Sequence, residues 1–534
     1  MYGVFTYLWQ NRIATVLIAM LVLFSLPVGY DELKYVVLAI GVGVLAIFNY
    51  KNAIGLSLSG VSLLVLCGYS FLSMKWAYDP VRVVPDSFIL LLAASWAILT
   101  GECIRHDNSL LLKIQRSLII IFGVLLGLHF VGLHLDMAFT RDWHHLLAKN
   151  KNYTVSYLTI LYPFLLFYNS KSQFVRFLKL ASGFLLLNVI IILGVRGALV
   201  ALALLIVFKI YTLWNRRVFL YFLASVGLFG AVSFGNSEFK KIAASSKIYQ
   251  DYHSEYPSRK YLNESSFSQF KTHPLLGVGV GNWWVHAYQK SVSNIDLLNQ
   301  EKDVVRLGPH TWQTLVLAEY GGIGGVLWLG FFMLPFIFYL KSSYQKRRST
   351  NLLIGAWLAF ITLCGFYATS HFSIFFFSAI ALIGFLSFGA LGASLLEHKV
   401  MGKYVNVIGA VFISILSVYF VLFGMSRYQA NKISPNLKAK KSIDLNSLNK
   451  SQEWFGVDES LSTPIGLIRA QYYWKENETS LAKNEFEATL LRNPYNANVL
   501  ISYRDFLIET DRDNSEIQDI EQRLMQQQPN LRLK

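Results

Sequence analysis

Apolar residues along this 534-residue chain gather in long, nearly uninterrupted runs, with neither the spacing of amphipathic surface helices nor the alternation of half-buried strands. The runs cover, approximately, 13–29, 34–50, 53–74, 87–104, 117–135, 153–168, 176–195, 197–214, 218–235, 312–340, 352–369, 374–396 and 403–425, thirteen in all. Most approach the roughly 20 residues that a helix needs to cross a bilayer. Only helices and closed barrels satisfy their own backbone in lipid, and runs of this length select helices. The pattern predicts an all-α, polytopic integral membrane protein with about 13 transmembrane helices.

The polar intervals set the orientation. Placing the N-terminus in the cytoplasm puts Arg12, Lys51, Arg105, Lys113, Arg116, Lys171, Arg176, Lys179, Arg216 and Arg217 inside, together with Lys341, Lys346, Arg347, Arg348, Lys399 and Lys403. The short outer loops then keep only a few cations, such as Lys75, Arg82 and Arg141. With an odd number of spans, the segment 236–311 and the tail after Met425 share the outer side, which in a bacterium is the periplasm. The expected divisions are a transmembrane bundle over 1–235, a large periplasmic loop over 236–311, further transmembrane helices over 312–425 and a periplasmic helical domain over 426–534. The first apolar run is not followed by a small-residue cleavage site, so it is expected to be a retained anchor.

Within the tail, 426–465 is polar and turn-rich. Tyr473, Ala482, Phe486 and Pro494 then fall at the spacing of a tetratricopeptide helix pair. Val499 to Leu507 and Ile517 to Met525 suggest a second, poorer copy ending at Pro529. Such a pair is either a docking surface or a small helical cap, since repeat stacks usually need three or more units to be stable alone.

Composition agrees with the pattern: 54% hydrophobic residues, 15% charged and a mean hydropathy of +0.42 exclude a soluble enzyme, a disordered chain and a disulfide scaffold. The net charge of +16 does not imply nucleic acid, because the 48 basic residues form no single stripe or tail. Cys67, Cys103 and Cys364 lie in or beside apolar runs, too few and too scattered for a metal site or a disulfide framework, and are expected to be buried thiols.

The candidate chemistry is cationic and lies toward the outer face: Arg196 in Gly194-Val195-Arg196-Gly197, Arg259 and Arg306 in the long loop, and His310 just before a glycine-interrupted apolar run. A guanidinium is always charged and offers a planar fork of donors that matches phosphate oxygens, so several at a bilayer edge suit a lipid diphosphate. Arg196 interrupts nearly forty otherwise apolar residues, a costly placement without a partner, although a turn arginine that snorkels to the interface would look the same. Arginines in a polar loop are more often solvated than functional. His310 suits a general base or a phosphate donor, but so does a histidine satisfied by a loop carbonyl, and His144, His145, His273, His286 and His371 are also outside or at span edges. The interval from His310 to Glu319 is too long for one helical face, which argues against a zinc motif or a catalytic dyad.

Two familiar patterns carry little weight. Gly277-Val278-Gly279-Val280-Gly281-Asn282 lacks the strand-to-helix context of a dinucleotide site and reads as a tight loop entering a membrane-facing surface. Asp511-Arg512-Asp513 has the spacing of a metal-binding nucleotide-sugar motif but lies in the distal tail, as a solvated helix end. No carboxylate cluster suggests itself, so a diphosphate would be neutralised by arginine instead of a divalent metal, and no cofactor is expected.

The ordered set of Lys271-Thr272-His273-Pro274-Leu275-Leu276-Gly277-Val278-Gly279-Val280-Gly281-Asn282-Trp283, then His310-Thr311-Trp312-Gln313-Thr314-Leu315 and Ala318-Glu319-Tyr320-Gly321-Gly322-Ile323-Gly324, is similar to the signature of the O-antigen ligase and polymerase superfamily. Its members include O-antigen ligases, O-antigen polymerases and bacterial O-linked protein oligosaccharyltransferases. Arg196 matches the family's arginine near the outer end of a span, with Val195 where Ser is usual, and Asn150-Lys151-Asn152-Tyr153 resembles the asparagine-containing start of an earlier span. The resemblance spans roughly 150–390. It implies a glycosyltransferase-C-like membrane enzyme of lipopolysaccharide biosynthesis that takes a glycan from an undecaprenyl (polyprenyl) diphosphate carrier. Arg196, Arg259 and Arg306 would hold the diphosphate and His310 would serve the acceptor hydroxyl. The acceptor would be lipid A core, a protein or another glycan, and the site would face the periplasm from the inner membrane. The first of these, a ligase, is the default reading, and the helical tail favours a variant that docks a protein. A lipid flippase or transporter is the competing class, expected to show midplane ionisable groups and two related halves, neither of which is evident. A membrane scaffold would leave the arginines and His310 dispensable.

Overall fold

The computed structural model describes residues 12–25, 31–49, 55–134, 151–213, 257–283, 285, 312–366, 379–395, 399–400, isolated positions between 411 and 422, 465–494, 496–510 and 514–527. Among these residues the regular elements are helices apart from one two-residue antiparallel pairing, β1 (Gly55–Leu56) with β2 (Lys399–Val400). The bundle helices are α1 (Arg12–Ser25), α2 (Asp31–Asn49), α3 (Leu58–Leu72), α4 (Pro80–His106), α5 (Asn108–His134), α6 (Lys151–Leu166), α7 (Gln173–Leu193), α8 (Arg196–Leu213), α9 (Pro257–Thr272), α10 (Trp312–Lys341), α11 (Tyr344–Phe366) and α12 (Ala379–Leu395). The C-terminal unit holds α13 (Ile465–Lys475), α14 (Thr479–Arg492), α15 (Ala497–Glu509) and α16 (Asn514–Gln527).

Six segments among the described residues are long and apolar enough to cross a membrane: Leu58–Lys75, Pro80–His106, Ser109–His129, Gln173–Leu193, Arg196–Leu213 and Trp312–Lys341. Arg12–Leu21, Val37–Ala46, Thr154–Leu166 and Ile380–Leu395 are shorter apolar helices. The run 218–235 lies outside the described residues, and 403–425 is described only at isolated positions. All three cysteines are free and buried, as their apolar surroundings predict.

Local chemistry marks the helix ends. Ser57 caps α3 by accepting the Gly60 N–H (3.1 Å), and Asp79 caps α4 by accepting that of Val81 (3.1 Å), with Pro80 as the first helical residue. Gly194 ends α7 in the left-handed conformation at φ 67°, and its N–H reaches back to the last carbonyls of that helix. The nearly forty apolar residues around Arg196 are therefore two helices, as the sequence predicts.

Contacts between helices sort their ends into two groups. Phe208 near the end of α8 packs on Tyr339 near the end of α10 (5.9 Å between rings), and the Tyr339 hydroxyl donates to Asn351 early in α11 (2.6 Å). The Lys209 ammonium sits over the Phe167 ring, just past α6, at 4.7 Å. The same end collects Lys171, Arg176, Lys179, Lys341, Lys346, Arg347 and Arg348, and we call it the basic end. At the opposite end, the Tyr69 hydroxyl of α3 donates to the Tyr320 carbonyl of α10 (2.8 Å). With a helix rising about 1.5 Å per residue, the starts of α8 and α10 both lie at this second end. Between the two ends an aromatic core of Trp328, Phe331, Trp357, Phe360, Phe385 and Phe388 joins α10, α11 and α12.

The C-terminal unit has its own core. Leu467, Ala470, Ala482, Phe486, Tyr503, Phe506, Ile520 and Leu524 are buried together, and the four helices follow one another as two hairpins. Asp511-Arg512-Asp513, between α15 and α16, lies outside the described residues. Lys483 donates to Glu516 (3.0 Å), and Tyr503 also donates to Glu516 (2.5 Å). Hydrogen bonding to Glu516 raises the Lys483 pKa above its ordinary value; burial, then Glu516, raises that of the Tyr503 phenol. In each case folding favours the protonated form, so the stabilisation is complete below about pH 10 and is lost as pH rises through the raised values. Limited proteolysis of the full-length protein should find this unit equally resistant from pH 7 to 9.5 and progressively more open from pH 10 to 12.

Candidate functional site

The second end of the bundle is built around a break in α10. Gly321 has φ 65° and ψ −167°, so the helix stops after Tyr320 and restarts at once. Such a break leaves carbonyls orphaned before it and N–H groups orphaned after it, a heavy cost in an apolar segment. The loop following α9 supplies both sets of partners. Val278 and Gly279 donate to the carbonyls of Ala318 (2.9 Å) and Glu319 (3.0 Å), and the carbonyls of Pro274 and Leu275 accept from Gly322 (2.8 Å) and Ile323 (3.1 Å). The backbones come so close that a Cβ on Gly277 would lie 2.4 Å from the Glu319 carbonyl, and one on Gly321 2.4 Å from that of Leu275. The glycine-rich segment and the Glu-Tyr-Gly-Gly segment are thus two halves of one structural joint, in which the loop glycines allow the close approach to the helix.

Side chains lock this joint to the rest of the bundle. Glu319 is buried in α10 and accepts N–H groups from Trp283 (3.2 Å) and Gly281, with Asp86 and Arg82 of α4 as its charged neighbours. Asn282, fully buried, accepts the Asp79 N–H (2.7 Å) and donates to the carbonyls of Asp79 (3.1 Å) and Val280 (3.0 Å). Asp79 also pairs with Arg82 (3.3 Å). Ser73 accepts from the Val280 N–H (3.2 Å), and the Trp283 indole donates to Ser266 of α9 (2.8 Å). Composition gives little sign of these contacts beforehand. The available signals are a lone acid in an apolar run, at Glu319, and an Asp-Pro helix start at Asp79. Replacing Asn282 by Ala leaves the Asp79 N–H unpaired in a buried place, which should cost about 1–3 kcal/mol. Thermal unfolding of the detergent-solubilised protein would register this as a lower midpoint.

The expected site residues stand around this joint as follows. Arg259 lies in the first turn of α9, one turn before Asn263, whose side chain accepts from the Thr314 hydroxyl at the start of α10 (3.4 Å). Arg306 and His310 lie outside the described residues. Arg196 is half-buried and opens α8 directly after the Gly194 turn. Its helix has no acidic residue in the first turn, so a permanent cation stands at the positive end of the helix dipole. α8 packs on α11, α6 and α7, while α9 packs on α10, so Arg196 and Arg259 belong to different faces of the same end. His273 is exposed where the loop leaves α9. Among the described residues no three His, Cys, Asp or Glu side chains converge as metal ligands.

No curated protein matches this chain. The region from α7 through α8 and α9 to the middle of α10 carries both Arg196 and the interlocked joint. Residues 181–329, which fall within that region, match the family model for O-antigen ligase, and over this segment the chain resembles the O-antigen ligase-like superfamily.

Proposed function

We propose that this protein is a membrane glycosyltransferase that moves a glycan from a polyprenyl diphosphate carrier to an acceptor hydroxyl at the periplasmic face, most simply as an O-antigen ligase. The coarser statement, a membrane glycan-transfer or polymerase function, follows from the family match over residues 181–329. The observation that carries the finer reading is the position of Arg196: a guanidinium at a helix start, at the end of the bundle away from the basic groups, within the matched segment. The positive-inside rule supports assigning that end to the outer face.

In this reading Arg196, Arg259 and Arg306 neutralise the diphosphate as charge develops on the leaving oxygen, which is where fixed donors lower a barrier most. His310 takes the proton of the acceptor hydroxyl as its oxygen attacks the anomeric carbon. The bond from that carbon to the diphosphate breaks, polyprenyl diphosphate departs, and attack from the opposite face inverts the sugar. Arginine supplies the charge that a metal supplies elsewhere, so the scheme routes no step through a cofactor. The two C-terminal hairpins, with their tetratricopeptide-like spacing, are assigned to the periplasm as an acceptor-docking unit.

The test is transfer by the purified, reconstituted protein, given a lipid-linked glycan and, separately, lipid A core, a protein acceptor or a second lipid-linked glycan. A mobility shift of the first acceptor supports ligase activity; shifts of the others redirect the reading to a protein oligosaccharyltransferase or a polymerase. Movement of the intact carrier between leaflets without transfer to any acceptor would replace it with a flippase. His310→Gln should lose at least about 100-fold in rate.

A further inference from the structure

At the basic end, lysines from two helices meet the residues just past a third, and Arg176 lies close enough for its charge to act on one of them. The Lys209 ammonium of α8 lies 4.7 Å over the Phe167 ring, and the Lys179 ammonium of α7 donates to the Tyr168 carbonyl, both just beyond α6. Lys209 feels the charge of Lys179, and Lys179 that of Arg176. Each lysine is partly withdrawn from solvent, yet none of the three cations has a carboxylate partner among the described residues. A lysine placed only to orient a helix extends outward to water. These two fold inward against each other's charge, an arrangement that an anion between them relieves.

The neighbouring surface says what kind of anion. The outward face of α7, beside this cluster, leaves Phe177 64% and Phe184 72% exposed, and Leu180 68%, among the described residues. Cations at the end of a span with an apolar strip rising from them match a phosphate head group above acyl chains. From this geometry we propose that Lys179, Lys209 and Arg176 form a binding site for the head-group phosphodiester of an anionic phospholipid, lodged between the ends of α6, α7 and α8. Phe167 and the Tyr168 carbonyl fix the two ammonium groups, each of which keeps donors free for phosphate oxygens. The acyl chains lie along α7. Because α7 and α8 meet again at the Gly194 turn, a lipid held here braces the hairpin that presents Arg196 at its far end. The site does not depend on the glycosyl-transfer reading.

The experiment is native mass spectrometry of the full-length, detergent-solubilised protein titrated with phosphatidylglycerol, with phosphatidylcholine and inorganic phosphate as separate arms. Phosphatidylglycerol should bind in preference to phosphatidylcholine, and the K179Q/K209Q double variant should bind it about 30-fold more weakly. A K346Q/R348Q control, which removes two exposed cations at the same end, should change binding by less than about 5-fold. Equal binding by wild type and K179Q/K209Q, with both keeping the same unfolding midpoint, overturns the proposal. So does equal occupancy by both lipids. Inorganic phosphate that displaces the lipid at micromolar concentration overturns the lipid assignment in favour of a free anion. If the double variant does not fold, Lys179→Arg and Lys209→Arg retain charge and packing and should retain binding; loss of binding in these folded variants counts against the site.

Discussion

Arg196→Ala is expected to lower glycan transfer by about 100- to 1,000-fold while the protein stays in the membrane at its usual level. The structural reason to expect intact protein is that Arg196 is the first residue of α8, after the turn has been set by Gly194 and the Val195 N–H has reached the Ile190 carbonyl (3.2 Å). Alanine is the best helix former, so the start of α8 accepts the substitution. The fold of this end should therefore hold. In the proposed reaction activity should fall, because a diphosphate leaving group needs compensating charge as its bond to the sugar breaks, and a fixed guanidinium contributes without reorganising. Arg196→Lys separates charge from geometry: a point charge restores part of the rate but not the two-pronged contact, giving an intermediate value. Transfer assays on equal amounts of membrane-inserted protein distinguish these outcomes. Full activity in Arg196→Ala would make this residue a turn marker.

The sequence and the coordinates agree where one segment carries its own evidence. Eleven of the thirteen apolar runs coincide with described helices, and six of these are long and apolar enough to cross a membrane, where a helix satisfies its own backbone. The division between α7 and α8 was legible in Gly194 and Arg196, and Ala482 and Phe486 do lie in a hairpin core. The joint between the 273–283 loop and α10 was not legible as a joint. Its bonds are backbone to backbone across about forty residues, and backbone groups leave no mark in side-chain patterns. The two glycine-containing segments look like separate motifs until their carbonyls and N–H groups are matched. The glycines and Glu319 mark an interruption in this apolar run, but which residue breaks the helix is set by the loop that docks on it. Arg259 is a polar-loop residue by sequence but sits in a helix docked on α10, which makes its approach to the start of that helix a matter of tertiary packing.

That joint yields the largest expected effect on the fold. At φ 65° and ψ −167°, Gly321 occupies a region that residues with a Cβ almost never enter, at a cost of about 1–3 kcal/mol before any contact is counted. In Gly321→Ala the new methyl would stand 2.4 Å from the Leu275 carbonyl oxygen and 2.5 Å from the Gly277 nitrogen, both backbone atoms that no rotamer change moves. The loop must then back away, and the carbonyls of Ala318 and Glu319 lose their donors inside the bundle. Each unpaired group costs about a further 1–3 kcal/mol, so the sum is a large part of the 5–15 kcal/mol that holds a typical domain. The protein level in membranes should drop sharply, and what remains should be cut by protease within 273–283. Gly330→Ala, on the same helix with no atom within 4 Å of its new methyl, should be neutral or slightly stabilising. Because Arg196→Ala keeps its protein level and Gly321→Ala does not, activity per folded molecule separates the two parts of this end of the bundle: one presents charge, the other holds the frame. A Gly321→Ala protein with normal level and normal protease resistance would mean that the loop does not hold the broken helix together.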